Sequence, residues 1–212
     1  MNAFLINIWY FFFSIVYTVS LYFKPYSGSF LLKILPILCL FYWVLRVHVL
    51  NKKIFLLLAL SACIVGDILL NINDGIENGL IAFLIGHLFY FIYFVQQKKG
   101  IYRKYSFVVI LLFVVIVMNL KIYILDSTKA HLFIPILIYS IVISLMNISI
   151  FYVAVSFSQI IGGILFIISD FLIAVDIFIY HSVFLSYFVI VTYYCAQWLI
   201  VMSERKRVQV IE

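Results

Sequence analysis

The stretch Ile64-Val65-Gly66-Asp67-Ile68-Leu69-Leu70-Asn71 places a carboxylate inside a run of apolar residues. A charged side chain at the centre of a membrane-spanning helix costs about 3 kcal/mol even on lenient insertion scales, so an acid in this position indicates a functional site. A second stretch, Ile167-Ile168-Ser169-Asp170-Phe171-Leu172, repeats the pattern of a small residue followed by an aspartate between apolar neighbours. Two acids in two separate apolar segments predict a polar site inside a bundle of helices.

The composition of the chain decides the class of fold. Of the 212 residues, 67% are hydrophobic and only 10% are charged, whereas a water-soluble domain carries about 25% charged residues. In lipid, only helices and closed barrels satisfy their own backbone groups, and long uninterrupted apolar runs favour helices over the alternating pattern of barrel strands. The sequence therefore predicts an all-α membrane protein with a single polytopic domain, residues 1–212.

The lengths of the apolar runs predict eight transmembrane helices, because about 20 apolar residues cross the hydrocarbon core of a bilayer. The predicted helices cover residues 4–23, 29–47, 54–72, 79–96, 106–123, 132–152, 157–177 and 183–202. Basic residues cluster beside the second and fourth connections and after the last helix. Since Lys and Arg are enriched on the cytoplasmic side of membranes, both termini are predicted to be cytoplasmic. The short connections are typical of a protein of the bacterial inner membrane.

Several polar side chains are predicted to lie at one depth in the bundle. With a rise of about 1.5 Å per residue, Asp67 lies roughly 20 Å from the cytoplasmic start of its helix, and Asp170 lies at a similar height. Three side chains from other helices reach the same level near the extracytoplasmic face, Lys33, His87 and Tyr139. The simpler interpretations are that the two acids only make structural hydrogen bonds and that the lysine extends to the membrane interface.

Two buried acids suit acid–base chemistry. In a medium of low dielectric constant the pair cannot easily hold two charges, so one protonated acid and one carboxylate would form a general acid and a general base. Such a pair can protonate an acid-labile bond and activate water, as paired carboxylates do in glycoside hydrolysis. His87 is the only histidine inside a predicted helix, which argues against a three-histidine zinc centre. The residues alone predict an intramembrane acid–base site, with its substrate left open.

Six sequence elements occur in order along most of the chain. They are Lys33-Ile34-Leu35-Pro36, Gly66-Asp67-Ile68-Leu69-Leu70, Gly86-His87-Leu88-Phe89-Tyr90, Tyr139 with Leu145-Met146, Phe166-Ile167-Ile168-Ser169-Asp170 and Tyr194-Cys195-Ala196-Gln197-Trp198-Leu199-Ile200. Together they resemble the YhhN family of eight-span membrane proteins, the lysoplasmalogenases. The first and fifth predicted helices contribute nothing to this resemblance, and Asn147 stands where a bulkier or apolar residue is expected.

The resemblance implies hydrolysis of the vinyl ether bond of lysoplasmalogens (lysoplasmenyl-ethanolamine or -choline) to a fatty aldehyde and glycerophospho-ethanolamine or -choline. Asp67 and Asp170 would then divide the roles of acid and base, and no metal or cofactor would be needed. Substrate binding or support of the site is expected from a set of nearby polar residues, Lys33, Asn71, His87, Tyr90, Tyr139, Tyr194 and Gln197. The expected partners are the lysophospholipid substrate and membrane lipid, with no nucleic acid.

Two other functions are compatible with the same residues. Intramembrane Asp and His groups also serve proton-coupled transporters of small molecules or lipids, and the similar stretches around Asp67 and Asp170 can reflect a four-plus-four parallel repeat. A lipid-binding or assembly protein with purely structural acids is the third interpretation. Cleavage of substrate in detergent, as opposed to its transport into vesicles, separates the enzyme from the transporter.

Overall fold

The computed structural model describes residues 3–23, 25–47, 53–72, 75–97, 133–154, 156–178, 180 and 182–211. Within these ranges the protein is entirely helical, with no β-strand, which confirms the predicted all-α class. The seven α-helices are α1 Ala3–Ser20, α2 Ser29–Arg46, α3 Lys53–Leu69, α4 Ile76–Val95, α5 Phe133–Val153, α6 Phe157–Phe178 and α7 Val183–Ile211. A single 3-10 turn, Leu21–Phe23, continues α1.

The helices have the length and surface of membrane-spanning segments. Five stretches are long and apolar enough to cross a bilayer, Phe4–Phe23, Ser29–Arg46, Ile76–Val95, Phe157–Asp176 and Val183–Arg205. A shorter apolar stretch, Leu137–Val153, lies in α5. Large apolar side chains point outward from every one of the seven helices, among them Phe4, Leu31, Ile54, Ile81, Ile138, Phe157 and Val191. In water such a surface would aggregate, whereas in lipid it is the natural exterior.

The predicted and observed helices differ mainly at their ends. α3 ends at Leu69 rather than at residue 72, because its backbone tightens to i→i+3 hydrogen bonds, from Asn71 N to Ile68 O and from Ile72 N to Leu69 O. Asn71 therefore lies in a turn after the helix that carries Asp67. α7 runs to Ile211, nine residues past the predicted end.

The order of the helices brings both ends of the chain together. The Tyr10 hydroxyl donates a hydrogen bond to the Tyr194 carbonyl (2.7 Å), and the Trp198 indole donates to Asn7 Oδ1 (3.1 Å). The start of α1 thus lies beside the second half of α7, and both termini are at the same end of the bundle. The assignment of that end to the cytoplasm stays a prediction.

The eight-helix count stays a prediction as well. The fifth predicted helix, 106–123, lies outside the described residues. Contacts with α6 and α7 show that α4 and α5 run in the same direction. α5 is antiparallel to α6, α6 is antiparallel to α7, and α7 is parallel to α4. The end of α4 and the start of α5 therefore lie at opposite ends of the bundle.

Glycines allow neighbouring helices to approach closely. A Cβ atom added at Gly66 of α3 would lie 2.7 Å from the Phe83 ring of α4. A Cβ atom at Gly162 of α6 would lie 2.9 Å from side-chain carbons of both Leu199 and Ile200 in α7. Small residues at such contacts are the usual basis of helix association in membranes, where lipid provides no hydrophobic force between helices.

We therefore expect Gly162→Leu to destabilise the bundle. The added side chain must push α7 away, and overpacking of this kind costs about 1–3 kcal/mol. Cys195→Leu is the matched control, because Cys195 is exposed on the outer face of α7. Thermal unfolding in mild detergent should show a Tm several degrees lower for the glycine variant and nearly unchanged for the control. Equal stability of the two variants would contradict the close α6–α7 contact.

Candidate functional site

Asp67 lies near the end of α3 and is 1% exposed. Its Oδ1 atom is 3.0 Å from the ammonium Nζ of Lys33 in α2, and its Oδ2 atom accepts a hydrogen bond from the Tyr193 hydroxyl of α7 (2.9 Å). Lys33 is itself buried, so this is an ion pair inside the bundle and not a lysine that extends to the membrane interface. The neutralising lysine makes the buried carboxylate tolerable, because an unpaired charge in this medium is very costly.

The position of Lys33 is fixed through its backbone. Pro36 lies in the middle of α2, one turn after Lys33, and a proline disturbs the hydrogen bonds of the preceding turn. The carbonyl of Lys33 accepts a hydrogen bond from the Tyr194 hydroxyl (2.7 Å), and Tyr194 is in turn bound through its own carbonyl by Tyr10 of α1. Four helices therefore hold the Asp67 cluster, which consists of Lys33, Asp67, Tyr193 and Tyr194.

Asp170 lies in α6 within a second polar group, the Asp170 cluster, which also contains His87 of α4 and Tyr139 of α5. The Tyr139 hydroxyl donates to Asp170 Oδ2 (2.9 Å), and His87 Nε2 lies 3.0 Å from the same oxygen and 2.8 Å from the Tyr139 hydroxyl. Because the tyrosine proton points to the carboxylate, His87 Nε2 must carry a hydrogen to interact favourably with either oxygen. Two proton-exchanging groups, from α4 and α5, thus converge on one carboxylate oxygen of α6.

The other ring nitrogen of His87 faces a different environment. His87 is fully buried, and Nδ1 has no hydrogen-bond partner among the residues that the structure describes. If Nε2 carries the hydrogen, Nδ1 is an acceptor with a free lone pair. A buried polar atom of this kind suits a water molecule or a substrate group.

The two clusters adjoin through one aromatic ring. Phe166 is fully buried, and its ring centroid lies 4.9 Å from that of His87 and 5.9 Å from that of Tyr193. Tyr193 belongs to the Asp67 cluster and His87 to the Asp170 cluster, so the acids lie in neighbouring parts of the same core. Each acid has its own polar partners, whereas the sequence predicts that the two acids interact as one electrostatic pair.

The comparison with known proteins shows the family of the chain. The sequence model of the YhhN family matches residues 28–204, a range that contains both clusters. The chain belongs to the YhhN family. No curated protein and no solved structure matches the chain.

Three further predicted site residues of this YhhN protein lie beside the clusters. The Tyr90 hydroxyl donates to Gln197 Oε1 (2.5 Å), and Gln197 Nε2 donates to Cys63 Sγ (3.4 Å), which forms a buried layer between α3, α4 and α7. Asn71 lies in the turn after α3, where its side-chain amide donates to the backbone carbonyl of Asp67 (2.8 Å). These contacts hold α3, which carries Asp67, against α4 and α7.

Two features of this YhhN protein are not predicted from its sequence. The first is Tyr193, which binds Asp67, whereas its neighbour Tyr194 is the predicted site residue. Glu204 was placed beyond the last predicted helix, yet it is fully buried, and its carboxylate accepts hydrogen bonds from the Tyr93 hydroxyl (2.8 Å) and Gln159 Nε2 (2.5 Å). Residues 193, 197 and 204 are spaced by about one and two turns, and this helical spacing was the signal that one polar face continues.

The ion pair between Lys33 and Asp67 can be tested through the free energy of unfolding. Lys33→Met should destabilise the protein by about 3–5 kcal/mol, because it leaves a buried carboxylate without its cation. The double variant Lys33→Met/Asp67→Leu removes both charges and should recover much of that loss. Denaturation in detergent mixtures of the wild type, both single variants and the double variant gives the coupling free energy. Additive effects would show that the two side chains do not form a pair.

Proposed function

We propose that this YhhN protein is an intramembrane hydrolase that cleaves the vinyl ether bond of lysoplasmalogens. Family membership over residues 28–204 supports a function of this kind. The observation that carries the proposal is the Asp170 cluster, in which His87 and Tyr139 converge on one carboxylate oxygen at 3.0 and 2.9 Å. Such an arrangement can store and deliver a proton next to lipid, as the hydrolysis of an enol ether requires.

The first chemical step is protonation of carbon. Asp170 gives a proton to the β-carbon of the vinyl ether and becomes a carboxylate. The C=C electron pair forms the new C–H bond, and the α-carbon becomes an oxocarbenium ion. His87 and Tyr139 assist because each can exchange a proton with Asp170 Oδ2. The Asp67 carboxylate provides negative charge in the same core, and electrostatic stabilisation of developing charge is usually a large contribution to catalysis.

The second step adds water. The water oxygen bonds to the α-carbon, and the Asp67 carboxylate accepts the proton that this water loses, which gives a hemiacetal. The hemiacetal then breaks its bond to the glycerol oxygen, and its hydroxyl proton passes to that oxygen, so that a fatty aldehyde and a glycerophospho product leave. Proton exchange with solvent returns Asp67 and Asp170 to their initial states. Lys33 is occupied by Asp67 at 3.0 Å, and we therefore assign it to that carboxylate rather than to the headgroup phosphate.

The central test is aldehyde release from lysoplasmenyl-ethanolamine by the purified protein in detergent. Asp170→Asn and Asp67→Asn should each lower kcat at least 100-fold, since general acid–base groups contribute typically about 10²–10⁴ in rate. Asp176→Asn is the matched control, because Asp176 lies on the same helix as Asp170 and accepts a hydrogen bond from the Ser182 backbone N–H (3.3 Å). It should retain nearly full activity.

Two results would count against the hydrolase. Full turnover by a folded Asp170→Asn protein would show that Asp170 is not the general acid. Absence of aldehyde release by the well-folded wild type, together with uptake of the lipid into vesicles, would favour transport. Thermal unfolding of each variant separates a loss of chemistry from a loss of fold.

The role of Tyr139 can be tested separately. Tyr139→Phe keeps the ring, which packs edge-on against His87 with centroids 5.3 Å apart, but removes the hydroxyl that donates to Asp170. A hydrogen bond to a charged group is worth about 1.5–3 kcal/mol, so we expect kcat to fall roughly 10- to 100-fold while KM changes little. A change confined to KM would instead indicate that Tyr139 binds substrate.

A further inference from the structure

A cavity of about 300 Å³ lies outside both acid clusters, at the end of the bundle where the two termini meet. It is formed by the start of α1, the start of α6 and the last turns of α7. One part of its wall is polar, with Asn7, Ser158, Ser203 and Arg205, and the other part is formed by Trp198, Leu199 and Met202. The cavity is therefore amphipathic.

The polar part of this cavity is positively charged. Arg205 is exposed and lines the cavity. Ser158 lies in the first turn of α6, where the helix dipole places partial positive charge and the first backbone N–H groups are not used within the helix. Charge of this sign attracts an anion.

The nearest acid does not cancel that charge in the cavity. Glu204 precedes Arg205 but is fully buried, and its two carboxylate oxygens bind Tyr93 and Gln159 on the inner side of α7. Neighbouring residues on a helix point about 100° apart, so the acid faces the core while the arginine faces the cavity.

The apolar wall selects the kind of anion. Trp198 is half-buried, and its indole N–H is bound to Asn7 at 3.1 Å, which fixes a ring of the kind that favours the boundary between lipid and headgroups. Leu199 and Met202 extend the apolar surface toward the bundle. A free phosphate ion would use only the polar part, whereas a phospholipid would use both.

We propose that this cavity binds an anionic phospholipid, with the lipid phosphate paired to Arg205 and hydrogen-bonded by Ser158. Arginine is well suited to this task because its planar donors match two phosphate oxygens. The first carbons of the lipid chains lie against Trp198 and Met202. Such a lipid stabilises the junction of α1, α6 and α7 and is separate from the substrate of the acid clusters.

The test measures lipid binding to the full chain in a neutral detergent by native mass spectrometry. The probes are phosphatidylglycerol, phosphatidylcholine and glycerol 3-phosphate. We expect one tightly bound phosphatidylglycerol, weaker phosphatidylcholine and no retained glycerol 3-phosphate. Arg205→Gln should raise the Kd for phosphatidylglycerol at least tenfold, as expected for loss of a charge-assisted contact. Ser158→Leu, which fills the cavity without changing its charge, should also weaken binding.

Arg46→Gln is the matched control for general attraction between basic residues and anionic lipid. Arg46 ends α2 at the same end of the bundle but lies over the Tyr42 ring, outside the cavity. The proposal is overturned if Arg46→Gln weakens binding as much as Arg205→Gln, or if neither cavity variant weakens it. Binding of glycerol 3-phosphate as tight as that of the lipid would also overturn it, since the site would then recognise free phosphate.

Discussion

The buried charge of Asp67 is the constraint on which most of this bundle depends. A carboxylate that is 1% exposed inside a membrane protein is tolerable only when a cation and hydrogen-bond donors replace the water it has lost. Lys33 supplies the cation, and Tyr193 supplies a donor. The lysine must then be buried too, and its placement is secured by the Tyr194 hydroxyl on its carbonyl. One acid thereby determines the relative positions of α2, α3 and α7.

Asp170 has the same effect on the remaining helices. Its partners come from α4 and α5 while the acid itself belongs to α6, and Tyr10 attaches α1 to the α7 backbone beside the other cluster. All seven described helices thus contribute to the two polar clusters or to the backbone that positions them. This matters because apolar surfaces gain little from association in lipid, so interhelical hydrogen bonds and close packing at small residues carry the specificity of assembly.

The sequence predicts those parts of the fold and site that depend on composition and helical periodicity. The class of fold, the helices apart from the undescribed range 98–132, and the five polar groups Lys33, Asp67, His87, Tyr139 and Asp170 follow from apolar run lengths and from the depth of each group in its helix. Their pairing does not follow, because depth gives a height along the bundle and no angle around it. The sequence therefore left open which cation neutralises Asp67. The burial of Glu204 does not follow either, because an acid beside a basic cluster looks in the sequence like a solvent-exposed residue.

The position of α1 also explains where the family match begins. The match starts at residue 28, after α1, and yet α1 packs against the helices that hold the Asp67 cluster. Its polar contact there is the hydrogen bond from Tyr10 to the backbone carbonyl of Tyr194. A backbone acceptor is present whatever the side chain, and an apolar helix can cover the same surface with many sequences. The two clusters, in contrast, are built from side chains whose charges and donors must match one another. Side chains that must match one another in charge and hydrogen bonding define a family. A helix that needs only an apolar surface contributes to stability without leaving a recognisable sequence.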